Sequence, residues 1–126
     1  MQLPELFEKL KGLEIYEKRA VEASLIDVVF ENKDLPAWNE RLQTLLGTAL
    51  KPAGEKPNAQ AKKTAQIFGG IRNEQTLFCK TFTEHSLVAM FWPWQNGKCT
   101  TCKIFPLDNS ALEAKPSLWG KLFNRS

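Results

Sequence analysis

Between Ala65 and Phe105, short runs rich in Phe, Ile, Val, Thr and Trp alternate with the turn-forming clusters Arg72-Asn73-Glu74, Glu84-His85 and Asn96-Gly97. Runs of this kind, separated in this way, predict four successive antiparallel strands. Asn96-Gly97 is the strongest of the three turn signals, because both central residues of a type I′ turn need positive φ. A two-residue turn there pairs Trp94 with Cys99 and Phe91 with Cys102, but it places Pro93 where the ladder is expected to want an N–H, so a bulge or three-residue loop is the alternative. A shift by one residue would bring Cys79, Met90 and Cys102 into one row, with Cys79 and Cys102 still too far apart for a disulfide. A two-residue turn at Glu84-His85 would pair Cys79 with Met90.

Upstream, Leu25-Ile-Asp-Val-Val-Phe30 alternates so that Ile26, Val28 and Phe30 share one face, which predicts the first strand. From Leu35 to about Leu50 the period changes. Leu35, Trp38, Leu42, Leu45, Leu46, Ala49 and Leu50 form a single helical stripe, with Asp34 placed to cap it and Pro36 in its first turn. Leu3, Leu6, Phe7, Leu10 and Leu13 predict a shorter amphipathic helix over 3–13, ending at Gly12. Residues 13–23 fit a further helical turn or an extended lead-in equally, and 1–23 is expected to be a helical lead-in to a core at 24–105. Lys51 to Lys63 contains Pro52, Gly54, Pro57, Asn58 and four lysines, and is expected to be a long solvated loop.

The tail, 106–126, is polar and then ends with Leu118, Trp119, Leu122 and Phe123 on one prospective helical face. The sum is a single α+β domain over 1–126. A curved antiparallel sheet, in the order strand-helix-four strands, packs on one central helix, with an N-terminal helix and a C-terminal apolar tail. In topology alone this order resembles hot-dog and cystatin-like architectures, which carries little functional weight.

A chain of 126 residues buries about two-thirds of its unfolded surface, so neither disulfides nor a structural metal is required. The longest apolar run, Leu87 to Trp94, is eight residues, well short of a membrane span, and no membrane association is expected. Acids stand at the start where a signal peptide would carry positive charge, and three cysteines suit a reducing compartment; both point to a cytoplasmic protein. Charge is uneven. Residues 1–40 hold nine acids and five bases, a balance of −4, whereas 41–126 hold twelve bases and five acids, a balance of +7.

Candidate chemistry is sparse. Cys99 and Cys102, three apart on one strand, project to opposite faces, and Cys79 falls on the face opposite Cys102, so neither a zinc site nor a redox pair is expected. His85 is the only histidine, which leaves no two-histidine metal site, and in its predicted hairpin turn beside Glu84 it is expected to be solvated. Gly69-Gly70 has the spacing of no nucleotide-binding loop and reads as a bend or bulge in a strand. Neither a metal nor a cofactor is implied. Phe78, Lys80, Phe82, Trp92, Trp94, Lys98 and Lys103 interleave rings with charge, but without the basic cluster of a nucleic-acid surface, so single-stranded nucleic acid ranks third among the readings.

The first reading is a non-catalytic cytoplasmic binding or protein-interaction module, self-associating as a homodimer or meeting a protein partner through Trp92, Trp94, Trp119 and Phe123. The alternative, suggested by the hot-dog likeness, is an enzyme acting on a small acyl or anionic substrate in a helix-sheet cleft. Lys56, Lys62 and Lys63 would hold the anion and Asp34 or Glu40 would serve as acid-base group.

Overall fold

A computed structural model describes residues 1–66 and 69–109; Trp119, Phe123 and the rest of the expected apolar tail lie outside the described residues. The elements in chain order are α1 (Leu3–Glu8), β1 (Glu17–Val21), β2 (Ile26–Glu31), a 3-10 turn (Asn32–Asp34), α2 (Leu35–Leu46), α3 (Ala59–Ala65), β3 (Thr76–Thr81), β4 (His85–Pro93) and β5 (Cys99–Asp108). The five strands form one antiparallel sheet in the order β1-β2-β5-β4-β3. The α+β class is as expected. The strands are distributed differently, two before α2 and three after it.

Two corrections account for that difference. β1 falls within the expected helical lead-in; Glu17, Lys18 and Arg19 disguise it because an edge strand exposed on both faces needs no apolar alternation. A bulge between Lys18 and Ala20 breaks its register with β2. The first of the four strands expected after Ala65 is absent among the described residues. Instead α3 ends at Ala65, and Gly69 and Gly70 take φ of +92° and +107°, a backbone that no extended strand adopts. Gly70 N–H donates to Ala65 O at 2.9 Å and closes the helix end.

α3 also shortens the loop expected over 51–63. Asn58 caps it, its Oδ1 accepting from Ala61 N–H at 2.8 Å, and small residues at positions 61, 64 and 65 pack it onto the sheet. The helix expected over 35–50 stops at Leu46, because Gly47 with φ of +88° terminates it. Asp34 lies in the 3-10 turn with helical backbone angles and makes no side-chain cap bond. α1 is likewise shorter than its stripe, although Leu10 beyond it is still buried.

α1 and α2 cover one face of the sheet, here the inner face. Ile26, Val28, Phe30, Phe78, Leu87, Ala89, Phe91, Cys102 and Ile104 meet Leu3, Leu6, Trp38, Leu42 and Leu46 there. Trp38 is its centre. The indole stacks on Phe30 at 4.8 Å between centroids, and its Nε1–H donates to Glu14 O at 3.1 Å. Phe91 stands edge-on to both Phe30 and Phe78. On the outer face α3 covers a second, smaller cluster formed by Leu77, Val88 and Met90, with Leu50, Ile71, Cys79 and Trp92 packed around it.

The β4–β5 register is the expected one, with Phe91 opposite Cys102 and Trp94 N–H donating to Cys99 O at 2.9 Å. The turn, however, is not of type I′: Gly97 takes φ of +74° whereas Asn96 does not have positive φ. Pro93 fits without a bulge. Bonds to β5 are made at Trp94 and, by alternation, Trp92, so the nitrogen of Pro93 points away from β5, and β3 begins only at Thr76, opposite Phe91. At the other end of β4 the turn residues are Thr83 and Glu84, not Glu84 and His85. Phe82 N–H donates to His85 O at 2.7 Å, and Cys79 lies opposite Val88 instead of Met90. That shift of two residues leaves every side chain on its expected face. Asn109 helps to fix it, donating through Nδ2 to Phe82 O.

Candidate functional site

Lys51 is the residue on which the site is built, and its placement corrects the expectation of a solvated lysine. It is 1% exposed. Its backbone forms an antiparallel bridge with Leu77 at the outer edge of β3. Its ammonium donates to three main-chain oxygens, those of Pro52 (2.9 Å), Asn73 and Gln75. Burial lowers its pKa from the ordinary lysine value, against the opposing pull of Glu74 and Glu55. The same junction is tightened by Gly54 N–H on Asn73 O at 2.7 Å and by Arg72 N–H on the Gln75 side-chain oxygen at 2.8 Å. The segment leading into α3 is thereby tied to the turn that precedes β3.

A cavity of about 610 Å³ lies between α3 and the stretch from Gly69 to Ile71. Pro57, Ala59 and Ile71 give it apolar walls, and the main chain of Gly69 and Gly70 forms one side. Lys62, Lys63 and Gln66 stand along it. Both lysines are exposed, and among the described residues neither meets a carboxylate within 4.0 Å. They also sit in the last turn of α3, where cations favour the helix dipole.

Of the expected site residues, Lys62 and Lys63 are therefore brought together at one pocket. Lys56 is exposed and does not line it, and Asp34 is not among its lining residues either. Glu40 lines a separate cavity of about 240 Å³ with Arg41, whose Nη1 donates to Lys9 O and Lys11 O. No carboxylate, thiol or imidazole appears among the described lining residues of the lysine pocket. The charged groups along it are the two ammonium ions.

Trp92 and Trp94 are half-buried on the outer face and already have partners. Trp94 Nε1–H donates to Thr101 Oγ1 at 2.9 Å, and the Arg19 guanidinium lies 6.0 Å from its ring centroid. Lys103 Nζ stands 5.6 Å over Trp92, and Lys98 Nζ lies 5.0 Å from the ring of Tyr16, whose hydroxyl it meets at 3.2 Å. That hydrogen bond raises the Lys98 pKa. One face of each ring is thus occupied by a cation of the same chain, which leaves less ring surface for stacked bases.

The three cysteines are free thiols. Cys102 belongs to the inner cluster and Cys79 to the outer one, on opposite sides of the sheet. Burial pushes the pKa of both thiols up, with the Asp27 carboxylate adding to the effect at Cys102. Both remain protonated near neutrality, and neither is an activated nucleophile. His85 is not a solvated turn residue. It opens β4, stacks on Phe82 at 5.3 Å and bonds through Nε2 to Met1 O at 2.9 Å, beside a cavity of about 520 Å³. Among the described residues no group of three or more His, Cys, Asp or Glu side chains is placed to hold a metal ion, and no helix is long and apolar enough to cross a membrane.

Sequence reasoning identified the two lysines but not their pocket. The overlooked signal was Asn58 followed by Ala-Gln-Ala, a capping residue ahead of strong helix formers. Compared with protein-family models, with curated proteins and with solved structures, the chain shows no match.

Proposed function

We propose that this chain is a non-catalytic binding module for small amphipathic anions, molecules with a carboxylate on an apolar body, taken up between α3 and Gly69–Ile71. The observation that carries this reading is the pair Lys62 and Lys63, unpaired among the described residues, at the rim of an apolar-walled cavity of about 610 Å³. That volume falls within the range of roughly 300–1,000 Å³ occupied by small-ligand sites. The apolar walls take the body of the ligand and the ammonium groups its charge.

Titration calorimetry with octanoate and octylammonium tests it. Octanoate binds and octylammonium does not, and the double variant Lys62→Gln/Lys63→Gln loses at least about tenfold in octanoate affinity. Equal binding of both amphiphiles, or an unchanged affinity in the double variant, would sink the proposal. A second reading, self-association into a homodimer, draws support from Trp92 and Trp94, two large rings left half-buried on the outer face. Light scattering across a dilution series decides it, a constant monomer mass rejecting the dimer.

A further inference from the structure

Three main-chain oxygens converge on Lys51 Nζ from two separate stretches of chain, Pro52 on one side and Asn73 and Gln75 on the other. An alkylammonium carries three N–H donors and no acceptor, so three carbonyls satisfy it completely. The oxygens are neutral, and they number three. Calcium takes six to eight oxygens, carboxylates prominent among them, and magnesium needs near-octahedral coordination, so this cup suits neither. Its donor count and its lack of formal charge match a primary ammonium. The carboxylates that favour the charge, Glu74 and Glu55, act from a distance and have no hydrogen bond to the amine.

Hydrogen bonds that do not involve the amine also hold the main chain around the cup. Gly54 N–H already bonds Asn73 O, and Arg72 N–H and Gln75 Oε1 close the 72–75 turn on itself. Lys51 is positioned by its own backbone, bridged to Leu77 in both directions at 3.2 and 3.0 Å. The lysine stem therefore serves as a tether that delivers an ammonium ion to a site made by other residues.

We infer that the Pro52, Asn73 and Gln75 carbonyls form a primary-ammonium site which this chain fills in cis with Lys51. The same site accepts a small alkylammonium from solution once the tether is removed. Occupancy of the cup holds the entry to α3 against the turn before β3. This conclusion is independent of which ligand, if any, the lysine pocket takes.

Lys51→Ala removes three methylenes and the amine, the atoms of n-propylammonium. Its thermal melting is followed in n-propylammonium chloride, with tetramethylammonium chloride and sodium chloride at equal ionic strength as controls, since neither control has an N–H to donate. The variant melts below the parent chain, and propylammonium alone raises its Tm, saturably, while the parent responds to all three salts alike. No recovery, or equal recovery with tetramethylammonium, overturns the inference. A second measurement on the unaltered chain covers the case in which Lys51→Ala fails to fold. Mass-resolved reductive methylation under native conditions modifies Lys51 at least about tenfold more slowly than Lys56, Lys62 or Lys63, because its amine reacts only after local opening. Methylation of Lys51 at the rate of Lys56 overturns the inference as well.

Discussion

Cys102 ties the stability of the sheet to alkaline pH in a way that can be worked out from its position. The thiol is fully buried on the inner face opposite Phe91, and burial raises its pKa above the ordinary value of about 9.0. In the unfolded chain it ionises near that ordinary value; in the folded chain it does not. Above about pH 9 the unfolded state therefore binds fewer protons than the folded one, and stability falls as pH rises. One proton of difference gives a slope of about 1.4 kcal/mol per pH unit, so about 1.4 kcal/mol is lost between pH ~8 and ~10 through this residue. Cys79 adds a loss of the same sign, its pKa being raised too, whereas Lys51 acts in the opposite sense. A lysine whose pKa is lowered on folding lets stability rise with pH between its folded value and the ordinary 10.5. Urea unfolding of the parent chain and Cys102→Ala, under reductant, isolates the Cys102 contribution. The variant loses about 1.4 kcal/mol less than the parent over that interval. Parallel losses in the two proteins would refute the reasoning.

Three further substitutions, at Trp38 and Asn58, probe the framework around the site. Trp38→Ala opens a cavity beneath the sheet and should cost about 3–5 kcal/mol in urea unfolding. Trp38→Phe keeps a ring against Phe30 but leaves Glu14 O without its donor, and should cost about 1–2 kcal/mol; equal costs for the two variants would mean that the indole is not the anchor described. Asn58→Ala removes the cap of α3, should cost about 1 kcal/mol, and should speed hydrogen exchange at the Ala61 amide; unchanged exchange there would exclude the capping bond.

What the sequence disclosed follows from how locally each feature is determined. Asn96-Gly97 marked the β4–β5 turn locally, Gly97 supplying its positive φ, and Asn32, in the 3-10 turn after β2, reinforces it by donating to Gly97 O at 2.8 Å. The stripe around Trp38 identified α2, and strict alternation placed Cys99 and Cys102 on opposite faces even though the adjoining turn was assigned one residue too late. β1 escaped detection because a strand that buries almost nothing carries no apolar signal. α3 escaped because it packs through alanines, which do not stand out as a stripe, and because Lys62 and Lys63 resemble a solvated loop. The burial of Lys51 could not be read at all, since its partners are main-chain carbonyls, identical in every residue, and only the tertiary fold brings them to one point.

The two edges of the sheet bear on how this protein can meet other chains. A bare strand edge is a template for open-ended strand addition. Here β1 presents Glu17, Lys18 and Arg19 with a bulge in their midst. At the opposite edge the backbone of Lys51 takes both main-chain groups of Leu77, leaving β3 less than a full strand to offer. Growth by edge pairing into fibrils or swapped sheets is thus disfavoured at both ends. What the molecule offers elsewhere, over its faces and at the α3 pocket, is side chains and not bare backbone.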